Sequence, residues 1–212
     1  MSNQLASDSL IQGPTFKISI ADLRPTQITV GMIEVADKRE EFVKDAKDDR
    51  HAYVEQHPVP VVRGPQGHFY LIDHHHLTRA LWDDGFHHVY CGIVGDLSAC
   101  SIAQFWKQMD EHRWVYPHDA QGHIQPYAAI PLTVEDLVDD PYRSLAGYVR
   151  KAGGYQKTTT PFAEFLWANF FRTRVKIEPG KAAFKSAVEH AVSLAHGTEA
   201  AKLPGYIANH KN

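Results

Sequence analysis

The sequence has little cysteine, no apolar run long enough to cross a membrane and no excess of either charge. Its 212 residues include only Cys91 and Cys100, too few for a disulfide framework and not spaced as a Cys-x-x-Cys site. No basic leader precedes an apolar segment, so we expect a cytoplasmic protein with no membrane contact. Lys and Arg number 22 against 25 Asp and Glu, a formal charge of −3 that removes any general attraction to nucleic acid.

What is present is an average globular composition with an unusual number of histidines, 14. The patterns predict an α+β fold. We expect residues 1–115 to form a small mixed sheet with helices, and residues 116–212 to form a helical extension packed on it. The predicted order is a strand at 15–20, a turn at 23–27, one or two helices over 31–56, a hairpin at 59–72, a helix to residue 85, a strand at 89–94, a helix at 101–114, a linker or lid at 115–131, and helices near 134–138, 140–151, 161–174 and 180–196.

Asp73, His74, His75 and His76 lie where the hairpin meets a helix. The first backbone N–H groups of a helix lack partners within it and its dipole is positive there, so such a junction binds anions. Imidazoles on that turn can donate to a phosphate oxygen or transfer a proton near neutral pH. The alternative is that Asp73 caps the helix and the histidines are partly exposed surface residues. Successive helical residues diverge by about 100°, which disfavours a metal site built from protein ligands only.

Several separated motifs resemble the ParB/sulfiredoxin superfamily, in its ParB-like branch of putative nucleases. The signature of that core is a strand rich in Pro and Val, an aromatic strand, and Asp-Gly-His-His-Arg at the start of a helix. The segments that match it, or further strings of the branch, are 23–27 with 30–31, 59–62, 70–77, 80–81 with 85, 140–146 and 162–167.

Departures from this signature affect what the resemblance implies. His74 replaces the glycine of the signature and Leu77 its arginine, so we expect Arg79 to substitute as a phosphate contact. His75 stands where the sulfiredoxin branch has its nucleophilic cysteine, which excludes that sulfur chemistry. In related free amino-acid kinases a glutamate in the early loop serves as the base, and the matching region of this sequence offers Gln27. A neutral amide cannot accept the proton. Glu34 or a histidine must take that role.

The resemblance implies binding of a nucleotide or phosphorylated small ligand, with hydrolysis of a phosphodiester or nucleotide, or phosphoryl transfer. It implies catalytic roles for Asp73, His75 and His76. The predicted phosphate contacts are His74, Arg79, Gln27, Thr29 and Arg143. A Mg²⁺ ion carried by the nucleotide is compatible with this site. The alternative is a module that senses a small anion or nucleotide without turnover.

Two further expectations concern partners. The superfamily's name suggests chromosome partitioning, but the C-terminal part has no basic recognition helix, which argues against sequence-specific DNA binding. Aromatic residues surround the helix predicted at 161–174, which indicates either a fully buried helix or one that also packs on a second subunit of a homodimer.

Overall fold

The computed structural model describes residues 10–45 and 50–208, and the side chains of 45 and 50 are left out. The chain divides into two compact units. The first contains residues 10–30 and the described part of 34–139, and the second contains residues 31–33 and 140–208. The boundary expected at residue 115 lies inside the first unit, because Val115 and Ile130 pack in the same core as Ile28 and Met109.

A five-stranded mixed sheet organises the first unit, in the order β1-β6-β4-β5-β2, and a separate two-stranded sheet pairs β3 with β7. The β1–β6 and β4–β5 pairs are antiparallel, and the β2–β5, β4–β6 and β3–β7 pairs are parallel. The strands are β1 Phe16–Ser19, β2 Leu23–Pro25, β3 Thr29–Val30, β4 Val59–Arg63, β5 Phe69–Leu71, β6 His88–Asp96 and β7 Val138–Asp139.

The α-helices of the described residues fall in both units. Those that begin in the N-terminal half are α1 Met32–Asp45, α2 Arg50–Gln56, α3 His75–Asp83 and α4 Ile102–Glu111. The second unit adds α5 Pro141–Lys151, α6 Ala163–Arg172 and α7 Lys181–Ala195. Within the described ranges no helix is long and apolar enough to cross a membrane. The α+β class and the helical character of the C-terminal part are confirmed.

The hairpin before the candidate site is confirmed in detail. Residues 59–62 of β4 are all buried, and Val61 pairs with Leu71 across the antiparallel ladder. The turn predicted at 23–27 is different, because β2 adds to the sheet as an edge strand parallel to β5. Pro25 has no N–H to donate, and an edge strand tolerates that loss. Fully buried Leu23 provides the apolar contact that holds β2 in place.

The helix predicted near 134–138 is wrong. Only residues 134–136 form a 3₁₀ turn, and β7 follows it. The Oγ1 atom of Thr133 donates to Asp136 Oδ2 at 2.7 Å, and the backbone N–H of Val138 donates to Ile28 O at 3.0 Å. Residues 138–139 are extended because they pair with β3. This pairing joins segments far apart in the sequence, so local periodicity cannot predict it.

The second unit has its own core, in which Trp167 and Phe171 are fully buried. Helix α5 begins as predicted, with the Asp140 carboxylate accepting from the backbone N–H of Tyr142 at 3.0 Å. The same carboxylate binds the Arg172 guanidinium through two contacts of 3.1 and 2.7 Å. Trp167, Phe170 and Phe171 of α6 are buried in the core of this unit, as expected for a helix surrounded by aromatic residues. The homodimer stays a prediction.

The start of α3 differs from the expectation that Asp73 is the N-cap. His74 occupies that position with φ 64° and ψ 24°, in the left-handed region, and its side chain does not cap the helix. Asp73 lies one residue earlier, where its Oδ1 accepts from the backbone N–H of His74 at 2.7 Å. A left-handed residue explains why the superfamily signature has glycine here, since glycine adopts this conformation without steric cost.

Replacing His74 isolates this backbone constraint. We expect His74→Gly to unfold at a higher temperature than His74→Ala, because both remove the imidazole and only glycine relieves the left-handed strain. A difference of about 1 kcal/mol corresponds to about 2–4 °C in Tm for a chain of this size. Differential scanning calorimetry measures it, and an alanine variant as stable as the glycine variant contradicts the explanation.

Gly31 in the second unit allows a close backbone approach. A Cβ added there lies 2.4 Å from Ser144 Oγ, 2.6 Å from its N and 2.9 Å from its Cα. We expect Gly31→Ala to lower the free energy of unfolding by about 1–3 kcal/mol, the usual cost of overpacking. Urea denaturation measures the loss. Adding Ser144→Ala does not restore stability if the backbone atoms cause the clash, and full restoration contradicts that cause.

Candidate anion-binding site

The candidate site is built where β5 ends and α3 begins. The backbone N–H of Ile72, just past β5, donates to Pro60 O at 3.1 Å, which fixes the end of the hairpin. Helix α3 then starts at His75, and Thr78 N donates to His74 O at 2.8 Å as the first helical bond. The His74 side chain does not cap this end, and the Asp73 carboxylate beside it accepts from the backbone N–H of His74. The partial positive charge of the first turn is therefore offset in part by that carboxylate.

His75 is a buried link between α3 and the segment after β2. The residue is 5% exposed, and its Nε2 accepts the backbone N–H of Thr26 at 3.3 Å. An accepting Nε2 places the hydrogen of a neutral imidazole on Nδ1. Thr26 is itself fixed, since its Oγ1 donates to Leu71 O at 2.7 Å. This contact orients the His75 ring.

His76 is more accessible and lies beside a carboxylate. Its Nε2 is 3.6 Å from Oε2 of Glu34, and the two side chains are 18% and 11% exposed. Glu34 comes from the first turn of α1, so distant segments meet here. The separation is that of an ion pair rather than a hydrogen bond. A carboxylate at this distance stabilises an imidazolium, which is the state a histidine reaches when it accepts a proton.

Arg79 is occupied by contacts within the first unit. Its Nε donates to Asp83 Oδ1 at 2.8 Å, and its Nη1 donates to the carbonyls of Glu135 and Leu137 at 2.9 and 3.0 Å. These bonds tie α3 to the turn before β7. An anion bound at the start of the helix would have to compete with these bonds for the guanidinium. The predicted contact of Arg79 with a phosphate therefore stays a prediction, while its contacts with Asp83, Glu135 and Leu137 are observed.

Gln27 and Thr29 are buried on the segment that follows Thr26. Gln27 forms a parallel bridge with Tyr116, and Thr29 pairs with Val138 between β3 and β7. Both lie close along the chain to the N–H group that binds His75. Their contact with a phosphate stays a prediction.

Arg143 lies on α5 in the second unit. Its guanidinium carbon stands 3.5 Å from the ring centre of Phe165, a close cation–π contact, and the side chain is buried. This contact accounts for the arginine within its own unit. Its predicted role toward a nucleotide stays a prediction.

The sequence did not single out Thr26 or Tyr116, although both build the site. The backbone N–H of Tyr116 donates to Thr26 O at 2.9 Å, and its ring stacks on His118 at 3.8 Å between centroids. Burial lowers the pKa of His118, against the opposing effect of Asp119. The only signal in the sequence was a long, proline-containing segment at 115–131, which suggested a linker or lid but not its pairing partner.

Other chemistry finds less support. In residues 10–45 and 50–208 no group of three or more His, Cys, Asp or Glu side chains is arranged to hold a metal ion. Asp73 is one carboxylate beside the helix start, which suits a Mg²⁺ ion held mainly by phosphate oxygens and water. Burial raises the pKa of the Cys91 thiol to about 12, so this cysteine carries no thiolate at neutral pH.

A shallow depression elsewhere on the first unit does not coincide with this site. It is lined by α1 residues that include Arg39 and by Asp84, which follows the C-terminal end of α3. Arg39 and Asp84 approach to 3.7 Å there. The candidate site is therefore defined by its polar groups rather than by that concavity.

Comparison with known proteins agrees with these motifs. The crystal structure of protein Atu1540 from Agrobacterium tumefaciens is 43% identical, with a TM-score of 0.85 over 92% of this chain and 97% of that one. The C-terminally truncated chromosome-partitioning protein ParB from Caulobacter crescentus, complexed with CTP-gamma-S, is 12% identical, covers 88% and 94% of the two chains and has a TM-score of 0.30, which supports no inference here.

A search of the curated proteins finds no match. The profile of the family described as "Putative ParB-like nuclease" matches residues 16–173, most of the chain. The chain therefore belongs to this ParB-like family.

Proposed function

We propose that the start of α3 binds the phosphate of a nucleotide or another phosphorylated small molecule, and that the protein hydrolyses or transfers that phosphoryl group. The observation that carries the proposal is the pair of histidines on the first turn of a helix whose N-cap side chain does not cap it. A helix N-terminus attracts an anion by about 0.3–1 kcal/mol, and by about 2 kcal/mol in partly buried geometries. That is enough to orient a ligand but not enough to bind it tightly.

The two histidines have different parts in the proposal. His75 is held by Thr26 and is buried, which suits a donor that positions the ligand. His76 is more accessible and has Glu34 beside it, which suits proton transfer. In hydrolysis, water attacks phosphorus while His76 takes one of its protons, and His76 then gives that proton to the leaving oxygen as its bond to phosphorus breaks. Phosphoryl transfer is mostly positioning and charge neutralisation, so few groups are required.

A second candidate is a binding module without turnover. It is favoured by Leu77, which stands where the superfamily signature has arginine, and by the contacts that already occupy Arg79. With fewer positively charged side chains in contact with the ligand, the protein stabilises less of the negative charge of the transition state. Binding and turnover must therefore be measured separately.

A thermal-shift panel tests binding. Inorganic phosphate, ADP, ATP and CTP are added with and without Mg²⁺, and at least one is expected to raise Tm, because a ligand that binds only the folded state stabilises it. At a ligand concentration of about 100 Kd the gain is about 2.7 kcal/mol. Phosphate release assayed in the same wells separates the enzyme from the module. If no phosphorylated compound raises Tm, the proposed function is wrong.

Substitution of His76 tests its part in the reaction. We expect His76→Ala to fold normally and to lose about 10²-fold or more in kcat, the usual contribution of a general acid or base. His88→Ala is the matched control, because His88 is an exposed histidine on β6 of the same unit. Circular dichroism checks folding and a phosphate-release assay measures kcat. Undiminished turnover by His76→Ala contradicts this assignment.

A further inference from the structure

We propose that the hydrogen bond between Arg24 of β2 and His68, the residue before β5, is a pH-sensitive switch. While His68 is neutral the bond holds the edge strand β2 against β5, and protonation of His68 breaks the bond and loosens β2. The observation that carries the proposal is the contact itself, in which Arg24 Nη2 lies 2.8 Å from His68 Nε2. The switch does not depend on what the candidate site binds.

The chemistry of the two groups fixes which one donates. A guanidinium has only N–H donors and keeps its charge at every physiological pH, so Nε2 of His68 accepts the hydrogen bond. The ring is therefore neutral, with its hydrogen on Nδ1. When His68 takes up a proton, Nε2 becomes a donor as well, and two cations face each other across the same contact. The hydrogen bond is then lost and the charges repel.

The groups on the sheet around His68 do not stabilise its charged form. Burial lowers the pKa of His68, and the positive charge of Arg24 lowers it further. Burial raises the pKa of Tyr70, an effect that Arg24 opposes, so the phenol carries no negative charge near neutral pH. Arg63 of β4 pairs with Phe69, whose side chain is on the other face of the sheet from that of Tyr70.

The two elements that pack beside these strands do not supply a counter-ion either. Helix α4 presents the rings of Phe105 and Trp106 to Tyr70. The 3₁₀ turn at 134–136 lies against β2, where Asp136 accepts from Thr133 and Glu135 is exposed. Within residues 10–45 and 50–208, no carboxylate forms an ion pair with Arg24 or His68.

Strand β2 depends on side-chain contacts because its backbone pairing is short. It has three residues, lies at the edge of the sheet beside β5, and includes Pro25, which has no N–H to donate. Side chains bind β5 from two neighbouring positions, through the contact of Arg24 with His68 and through Thr26 Oγ1, which donates to Leu71 O at 2.7 Å. Loss of the first contact leaves the second to hold this end of the strand.

The segment that the switch loosens also builds the candidate site. Thr26 lies two residues after Arg24, and its backbone N–H binds the ring of His75 at the start of α3. We therefore expect acidification to weaken the contact that orients His75. A histidine with a lowered pKa in the folded state binds fewer protons there than in the unfolded chain. The contribution of His68 to the free energy of unfolding therefore decreases as the pH falls below neutrality.

Two substitutions at His68 imitate its two protonation states. His68→Gln keeps an uncharged side chain with an accepting oxygen at every pH, and His68→Lys carries a positive charge throughout. His88→Gln is the matched control, since His88 is an exposed histidine on β6 of the same sheet. Hydrogen exchange of the backbone amides of residues 23–27 is measured at about pH 7.5 and about pH 5, on either side of the ordinary histidine range, and corrected for the intrinsic effect of pH.

The expected pattern separates a local switch from general acid instability. In the wild type and in His88→Gln, exchange at 23–27 is about 3–10-fold faster at the lower pH, the effect of losing one hydrogen bond. In His68→Gln it does not change with pH, and in His68→Lys it is already fast at the higher pH. Exchange in the central strand β4 changes much less in all four proteins. Wild-type protection at 23–27 that is equal at both pH values overturns the proposal, as does a pH response in His68→Gln as large as that of the wild type.

A histidine titration by nuclear magnetic resonance tests the contact directly. The His68 ring signal is assigned by its loss in His68→Gln, and its titration midpoint is compared between the wild type and Arg24→Met. We expect the midpoint to rise in Arg24→Met, because the cation that opposes the proton is gone. An unchanged midpoint overturns the switch. If no phosphorylated compound binds but these changes appear, the proposed function is wrong and the switch stands.

Discussion

Thr26 joins three segments of the first unit through its three polar groups. Its N–H binds the ring of His75, its hydroxyl donates to Leu71 O, and its carbonyl accepts from Tyr116 N. The residue is almost fully buried, where each unmade hydrogen bond costs about 1–3 kcal/mol. These bonds fix the end of β5, the start of α3 and the segment at Tyr116 relative to one another. The geometry of the candidate site therefore depends on Thr26.

The left-handed backbone at His74 shows how the signature of the superfamily acts physically. Glycine is the ordinary residue at such a position, and histidine is among the side chains that tolerate it better than most. The bend allows the chain to leave the hairpin and enter α3 within a few residues. It also moves Asp73 out of the capping position, so that its carboxylate binds the N–H of His74. The left-handed φ angle of His74 thus determines that Asp73, and not the N-cap side chain, is the group that binds a backbone N–H at the start of the helix.

The sequence predicted those parts of the fold that local patterns determine. The hairpin of β4 and β5, the helix up to Gly85 and the helix predicted at 140–151 each combine a periodic run with turn or capping residues. What it could not predict depends on distant partners. Strand β2 exists because β5 lies beside it. Residues 138–139 are extended because they pair with β3, and Arg79 binds the carbonyl of Leu137 just before them.

The candidate site shows the same difference between features that local patterns predict and features that depend on distant residues. The histidines were visible in the sequence because they are consecutive and follow a strand. The contact of Thr26 with His75 was not, since 49 residues separate the two. The contact of Glu34 with His76 also joins residues far apart in the chain. From the sequence, Glu34 is only a candidate for the missing base. Its distance to an imidazole depends on how α1 packs, which local patterns do not predict.

Under the proposed function, the charges around the start of α3 limit the kind of anion that would bind there. A carboxylate about 4 Å from an anion opposes it by about 1 kcal/mol in water and about 4 kcal/mol at the effective dielectric near a protein surface. Asp73 is adjacent to the helix start, so its carboxylate opposes the attraction of the helix end for an anion. A bare phosphate is therefore disfavoured relative to one that brings positive charge with it. Under the proposed function, protonation of His76 beside Glu34 or a divalent cation on a nucleotide would supply that charge, and of the two only the cation would leave His76 able to accept a proton.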